Sequence, residues 1–284
     1  MIVPIPEDRV AWLRVRQELQ QQGHVSASEA GALCGMHDYT TLGDLAVKYL
    51  APTEIVDDVQ TPAQARGHLL ERPCLDWLEA ELGVTILPPS VMYADNGFAM
   101  TPDGEMVGSD TDMPEAKTYK GYLDGEVLPQ WRCQAIAQCL ARPTLQRIHF
   151  TVLDSSLRFQ HFVVEPTDAE KENLAERARR FLAFVSLGMI PAEVELSEVN
   201  VRALWPRPEP ELAKEATAED AEIATEWAIA RQRRLDAEKA EAAAKNRLAN
   251  ALRENAVLTV DGAPIVTFRT RGSGRVLAPA GDLR

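Results

Sequence analysis

The segment Thr101-Pro-Asp103-Gly104 … Glu115-Ala116-Lys117 holds two carboxylates and a lysine at a spacing that supports chemistry. If residues 114–118 form a strand, side-chain alternation puts Glu115 and Lys117 on one face and Ala116 on the other. Asp103 stands at a Pro-Asp-Gly turn 12 residues before Glu115, so an adjoining strand can return its carboxylate to the same place. Clustered carboxylates are costly unless cations neutralise them, and hard oxygen ligands of this kind select Mg²⁺ or Mn²⁺. A divalent ion there lowers the pKa of a bound water and screens phosphate charge, while Lys117 orients the nucleophile or stabilises developing negative charge. That is the chemistry of phosphodiester hydrolysis. The plainer reading is a common turn followed by a solvated Glu-x-Lys strand face.

A third carboxylate bears on the choice. Glu71 shares a helical stripe with Leu75, Leu78 and Leu82, at positions i, i+4, i+7 and i+11, so it points the same way as the apolar residues. A carboxylate aimed at a core needs a partner, which a metal site supplies; an ion pair with Arg66 or Arg72 is the alternative. In Pro129-Gln-Trp131-Arg-Cys-Gln134-Ala-Ile-Ala-Gln138, a helix stacks Gln134 and Gln138 one turn apart with Trp131 on the same side. Glutamines so placed can hydrogen-bond a phosphate or hold a metal-bound water; surface glutamines are the ordinary alternative.

The elements that must position these residues follow from periodicity. Helices are expected near 7–21, from a serine cap at Ser26-Ala-Ser28-Glu29, over 41–50, and over 60–82 with a kink at Pro73. Short apolar runs between Pro, Gly and Asp then give strand and turn chemistry through Tyr119. A helix over 129–141, a hairpin of 147–153 and 157–164 around Asp154-Ser-Ser, and a helix over 167–187 that closes the core complete the pattern.

With 284 residues, 45% of them apolar, and no run of about 18 uninterrupted apolar residues, the chain reads as globular, without a membrane span. The start, MIVPIPEDRV, lacks the basic and apolar regions of a signal peptide, so a cytoplasmic location is expected. The four cysteines, Cys34, Cys74, Cys133 and Cys139, show no C-x-x-C and suit buried reduced thiols. All four precede residue 140, with no tight C-terminal group of three, so an iron-sulfur cluster is not expected. The five histidines show no H-x-H or H-E-x-x-H grouping, against a histidine-metal nuclease. Residues 1–205 hold 17 basic and 30 acidic side chains, whereas 206–284 hold 13 of each and 229–284 hold 11 basic and 6 acidic. The net charge of −13 therefore leaves a local basic cluster to which a nucleic-acid backbone responds.

Trp205-Pro-Arg-Pro-Glu-Pro reads as a stiff linker. Residues 211–254 have the Ala, Glu, Lys and Arg composition of a long solvated helix or coiled coil, which either packs on the core or a neighbouring subunit or contacts DNA directly. A small hairpin around Asp261-Gly262 and a flexible GSG end follow. The expected organisation is a core over 1–205, a linker and helical arm over 206–255, and a hairpin with flexible terminus over 256–284.

Taken in order, these pieces resemble the phage lambda exonuclease and YqaJ-type viral recombinase family, a branch of the PD-(D/E)xK nucleases. The resemblance runs over residues 8–190 through Trp12-Leu-Arg-Val-Arg16, Val25-Ser-Ala-Ser28-Glu29-Ala, Gly35-Met-His-Asp-Tyr39, Gly67-x-x-x-Glu71, Thr101-Pro-Asp103-Gly, Glu115-Ala-Lys117 and Trp131-x-x-Gln134. It implies an α/β chain with a restriction-endonuclease-like core, a mixed β-sheet flanked by helices, here followed by a long helical arm and a small β-hairpin. Glu71, Asp103, Glu115 and the main-chain carbonyl of Ala116 are the implied ligands of two Mg²⁺ or Mn²⁺ ions. Lys117 is the implied catalytic lysine, with Gln134 beside it in the catalytic set. Arg16, Ser28, Thr101 and Gln134 are the implied pocket for the terminal 5′-phosphate of a duplex end. A guanidinium and hydroxyls bind a terminal phosphate dianion better than an internal diester. Family members look like ring-shaped homotrimers that thread double-stranded DNA, degrade one strand 5′ to 3′, and hand the other to a single-strand annealing protein in phage or prophage recombination. Thr101 stands where the family often has Ser, Trp131 where it often has Tyr, and Ala116 where a bulkier apolar residue is usual. The run QELQQQ adds residues between Arg16 and Ser28, which makes Arg14 the substitute for Arg16. Two rival functions are a structure-specific or nicking endonuclease of the same fold and a non-catalytic DNA-binding or assembly module.

Overall fold

The structure is a computed structural model that describes residues 1–37, 39–52, 55, 60–191, 194–207, 215–271 and 274–280. The end of the proline-rich linker, the first residues of the expected arm, and Gly272 and Ser273 of the expected GSG end lie outside the described residues. The chain divides into two compact units, Met1–Pro208 and Glu209–Arg284.

The first unit begins with β1 (Ile2–Pro4), α1 (Arg9–Gln21), β2 (Val25–Ser26), a single 3-10 turn (Ala27–Glu29), α2 (Ala30–Leu33), α3 (Leu42–Leu50) and α4 (Pro62–Leu82). Then come β3 (Ile86–Leu87), β4 (Val91–Asp95), β5 (Phe98–Met100), β6 (Glu105–Met106) and β7 (Asp112–Thr118). Helix α5 (Pro129–Ala141) precedes β8 (Arg147–Leu153) and β9 (Phe159–Val164), and α6 (Asp168–Ser186) and α7 (Glu198–Leu204) end the unit. This is the mixed α/β architecture expected, with sheets flanked by helices.

Threonine sets three of these helix starts. The hydroxyls of Thr41, Thr61 and Thr167 each accept from the backbone N–H three residues on, and the side chains of Asp44, Gln64 and Glu170 reach back to the cap, satisfying donors that a helix leaves open. Helix α4 adds Pro62 in its first turn, runs through Pro73, and stops at Gly83, whose φ of 67° suits glycine. In the expected Ser26-Ala-Ser28-Glu29 start, Ser26 stands at the cap of the 3-10 turn but makes no side-chain capping bond; its hydroxyl accepts from Arg16 instead.

Sheet order places the site. β7 and β8 run parallel with α5 as the crossover, and β9 returns antiparallel to β8 in the expected hairpin. A second sheet has the order β1-β4-β5-β2, with β2 parallel to β5, and β3 pairs with β6. Helix α5 is buried nearly throughout, and its small residues Ala135, Ala137 and Ala141 allow close packing within the main core. On the other face of β7, Ala116 packs against the cluster of Leu75, Leu78, Ile86 and Met106.

As expected, helix α6 closes the main core with Leu174, Ala178, Phe181 and Val185, and one further helix that the sequence did not show follows it. Helix α7, capped by Ser197, returns the chain to α3, where a Cβ on Gly43 would meet the Glu195 carbonyl at 2.8 Å. Seven residues with mixed apolar and polar character give too short a period to stand out in sequence.

The second unit holds α8 (Ala218–Leu252), opened by a Thr217–Asp220 capping box, and a sheet of β10 (Val257–Val260), β11 (Ala263–Arg271) and β12 (Gly274–Pro279). The expected hairpin around Asp261-Gly262 is present, with both residues at positive φ. A third strand follows it, because β12 pairs along β11. No described helix is long and apolar enough to cross a membrane.

Candidate active site

Strand β7 delivers the central residues. Alternation turns Glu115 and Lys117 toward α5 and Ala116 toward α4, as the spacing predicts. Glu115 is 2% exposed, yet both of its oxygens are occupied. Lys117 Nζ and Gln134 Nε2 each donate to Oε1 at 2.6 Å, and Gln138 Nε2 donates to Oε2 at 2.6 Å. A buried carboxylate survives when it is paired and hydrogen-bonded, and α5 supplies two of the three donors.

Asp103 completes the cluster. The backbone N–H of Ala116 donates to its Oδ2 at 2.8 Å, which ties the Pro-Asp-Gly turn to β7. Gly104 allows that approach, since a Cβ there would come within 2.5 Å of Ile86 Cγ2 and 3.2 Å of Pro114 Cγ. Burial, then the charges of Glu115 and Glu71, hold the Asp103 carboxyl well above the usual carboxylate range. Glu71 is raised by burial and by Glu115. Burial pulls the Lys117 ammonium down, but Glu115, Asp103 and Glu71 outweigh it and keep it above its ordinary value. Three carboxylates thus share one ammonium, a local excess of negative charge.

Glu71 sits at the mouth of the cluster rather than in the core. Its side chain is 36% exposed with His68 3.8 Å away, while Leu75 and Leu78 of the same stripe are buried. The alternative pairing with Arg72 is not made: that guanidinium bonds Asp76 and Glu79.

One cavity of about 460 Å³ is lined by Glu71, Asp103, Glu115, Lys117, Gln134 and Gln138, and also by a second polar group. In that group, Arg16 Nη2 donates to Ser26 Oγ at 2.7 Å, and Ser26 and Ser28 hydroxyls lie 3.1 Å apart. Trp12 Nε1 donates to Thr101 Oγ1 at 3.1 Å, and the Arg16 guanidinium stacks 4.7 Å from the Trp12 ring centre. Burial lowers the Arg16 pKa, but a guanidinium stays charged. Arg14 is exposed and does not line this cavity, so the structure brings Arg16, not its substitute, to the predicted group.

Every predicted side chain of the site therefore borders one cavity, and Ala116 contributes through its backbone. Sequence reasoning stopped short of three details. Ser26, two residues before the predicted Ser28, receives the arginine; both glutamines clamp Glu115 instead of standing open to a phosphate or water; and Gly104 is required sterically. Only the Ser-Ala-Ser repeat and the Pro-Asp-Gly turn carried a signal for any of them.

Among the described residues no three His, Cys, Asp or Glu side chains form a ready-made metal centre. The donor set still fits a hard divalent cation. Glu71 and Asp103 are held above their ordinary pKa by burial and by Glu115, so a dication relieves the repulsion that one lysine leaves. Glu71, Asp103 and Glu115, with the Ala116 carbonyl, are the oxygens that would hold it.

Fold and site together define an α/β protein with a carboxylate and lysine centre at the end of a parallel strand pair. Among solved structures, it is similar to the alkaline exonuclease LHK-Exo from Laribacter hongkongensis, also solved in complex with dAMP. The identity is 19% over 61% of this chain and 93% of that one, with a TM-score of 0.47. It is also similar to a phage-related exonuclease from Haemophilus somnus 129PT, at 9% identity over 58% of this chain and 94% of that one, with a TM-score of 0.42. The sequence matches no protein-family model and no curated protein.

Proposed function

We propose that the chain is a Mg²⁺- or Mn²⁺-dependent exonuclease that degrades one strand of double-stranded DNA from its ends, 5′ to 3′, in phage-type recombination. The observation that carries the reading is the shared cavity: the acid and lysine cluster opens beside the Arg16, Ser26 and Ser28 group. A terminal phosphate on Arg16 and the hydroxyls leaves the next phosphodiester toward Asp103, Glu115 and Lys117. A dianion takes more from a guanidinium than a diester does, so ends are favoured over internal positions.

Bound divalent metal supplies a water of lowered pKa and screens the phosphate. The chain's own residues orient the rest. Gln134 and Gln138 hold Glu115 fixed, and the Ala116 N–H fixes Asp103. Lys117, kept protonated by the carboxylates, faces the phosphate oxygens and stabilises negative charge as water attacks in line and the P–O3′ bond breaks. A ring-shaped homotrimer, two metal ions and a single-strand annealing partner belong to the same proposal through the family resemblance, as does action inside a bacterial host cell.

The test is digestion of a linear duplex labelled at each terminus, with and without a 5′-phosphate, against a closed circle, in Mg²⁺ and in EDTA. Magnesium-dependent loss from 5′-phosphorylated ends with the circle intact is expected. Cutting of the circle would replace this reading with an endonuclease, and absence of any cleavage would leave a DNA-binding module.

A further inference from the structure

A second cavity, of about 550 Å³, shares the wall Arg16, Ser26, Ser28 and Thr101 with the active-site cavity but is lined by none of Glu71, Asp103, Glu115 or Lys117. Arg16 therefore stands between two spaces, one with the carboxylate cluster and one without it. In the second, Lys48 is already paired with Glu29, which leaves Arg16 as the cation that the two spaces share. Leu13, Val47 and Met92 give it apolar walls.

Two of its polar residues carry atoms unpaired among the described residues: Gln20 Nε2 and His24 Nδ1 are buried without a hydrogen-bond partner there, and both residues line this cavity. Gln20 and His24 thus add hydrogen-bonding side chains to the lining, and a ligand that meets them removes the cost of leaving them unpaired. Apolar walls with hydrogen-bonding groups at the edge match a nucleobase, which has flat apolar faces and a polar rim. The volume lies within the roughly 300–1,000 Å³ of pockets that enclose small organic groups.

We propose that this second cavity is a subsite for an unpaired nucleotide lying 5′ to the phosphate held by Arg16, so that duplexes with a short single-stranded 5′ extension are substrates. The inference rests on the exonuclease reading above. It has a chemical consequence. With the extension seated, the phosphate on Arg16 is an internal diester, and the bond that reaches Asp103 and Glu115 is one nucleotide further in. Water then adds to that phosphorus and the P–O3′ bond breaks, so the first product is a dinucleotide with a free 3′-hydroxyl, and the remaining strand keeps a 5′-phosphate. A blunt 5′-phosphorylated end releases a mononucleotide first.

The experiment compares first products and initial rates of the full chain on three duplexes: blunt with 5′-phosphate, blunt with 5′-hydroxyl, and a one-nucleotide 5′ extension ending in hydroxyl. The extension is expected to release a dinucleotide first, at a rate within about threefold of the blunt phosphorylated end. Val47→Phe, which fills the cavity, and the double variant Gln20→Leu, His24→Leu, which removes its polar edge, are each expected to slow the extended substrate about tenfold or more and to spare the blunt phosphorylated one. A 2-aminopurine in the extension is expected to change fluorescence on binding in EDTA to the wild type and not to Val47→Phe. A mononucleotide as first product, an extended end as slow as the blunt hydroxyl end, or equal slowing of both substrates in the variants would overturn the subsite. Failure to digest even the blunt phosphorylated end would overturn the exonuclease reading, and the subsite with it.

Discussion

The amide nitrogen of Gln138 lies 2.6 Å from Oε2 of Glu115, although 23 residues separate them in sequence. Together with Gln134, it turns helix α5 into a clamp on strand β7. Gln138 is 1% exposed, so water does not replace its amide when it is removed. Gln138→Leu is expected to leave Glu115 one donor short and to cost about 1.5–3 kcal/mol of stability, with a fall in kcat larger than any rise in KM. Urea denaturation beside steady-state kinetics checks this. Wild-type stability with wild-type kcat would show that the clamp does nothing.

Lys117→Ala and Asp103→Ala are expected to lower cleavage by about a thousandfold or more, since each removes an electrostatic contribution made at the reacting phosphate. DNA binding by either variant, measured by anisotropy in EDTA, should survive. Cleavage near the wild-type rate in either one would remove that residue from the site.

The Arg16 guanidinium is held between Trp12 and Ser26. Arg16→Ala is expected to slow digestion of 5′-phosphorylated ends by about tenfold to a hundredfold and to change 5′-hydroxyl ends little. Arg16→Lys should recover only part of this, because an ammonium has no planar face to stack on the indole while it bonds Ser26. Equal slowing on both kinds of end would refute a phosphate anchor.

Gly104→Ala places a methyl 2.5 Å from Ile86 Cγ2. The turn must shift, at a cost of about 1–3 kcal/mol, and it carries Asp103 with it. Thermal denaturation should show the loss, and activity should fall further than that instability explains at a temperature where the variant is still folded. An unchanged melting temperature would mean that Ile86 moves aside freely.

Glu170 accepts from Arg132 and from the Thr167 cap, and these bonds, Arg132 first, hold its pKa down at about 2 against an ordinary 4.5. A folded-state pKa below the unfolded one contributes stability that is complete above about pH 4.5 and is lost as pH falls toward 2. Arg132→Gln should therefore lower the melting temperature near pH 6 more than near pH 2. Thr167→Ala, which removes the cap itself, is expected to cost about 1 kcal/mol near neutral pH. An Arg132→Gln effect independent of pH would argue against the ion pair.

Several features of this protein were legible in sequence because they depend on near neighbours. The period of two puts Glu115 and Lys117 on one side of β7 whatever surrounds the strand. Leu75 and Leu78 mark the buried stripe of α4, and Asp261-Gly262 fixes the turn of the terminal hairpin. The order of the acids, the lysine and Arg16 along the chain is likewise read from sequence alone, and the proposed chemistry starts from it.

Tertiary structure decided what those residues meet. Arg16 rather than Arg14 lines the cavity because packing turns the face of α1 that carries Trp12 and Arg16 toward it. Gln134 and Gln138 clamp a carboxylate from 19 and 23 residues away, and Trp12 reaches Thr101 across 89. The return of α7 onto Gly43 and the pairing of β12 with β11 also depend on surfaces that exist only after other elements have folded. Local periodicity encodes which way a side chain points from its own element. The partner waiting there is set by packing between elements distant in sequence, whose geometry no short-range pattern records.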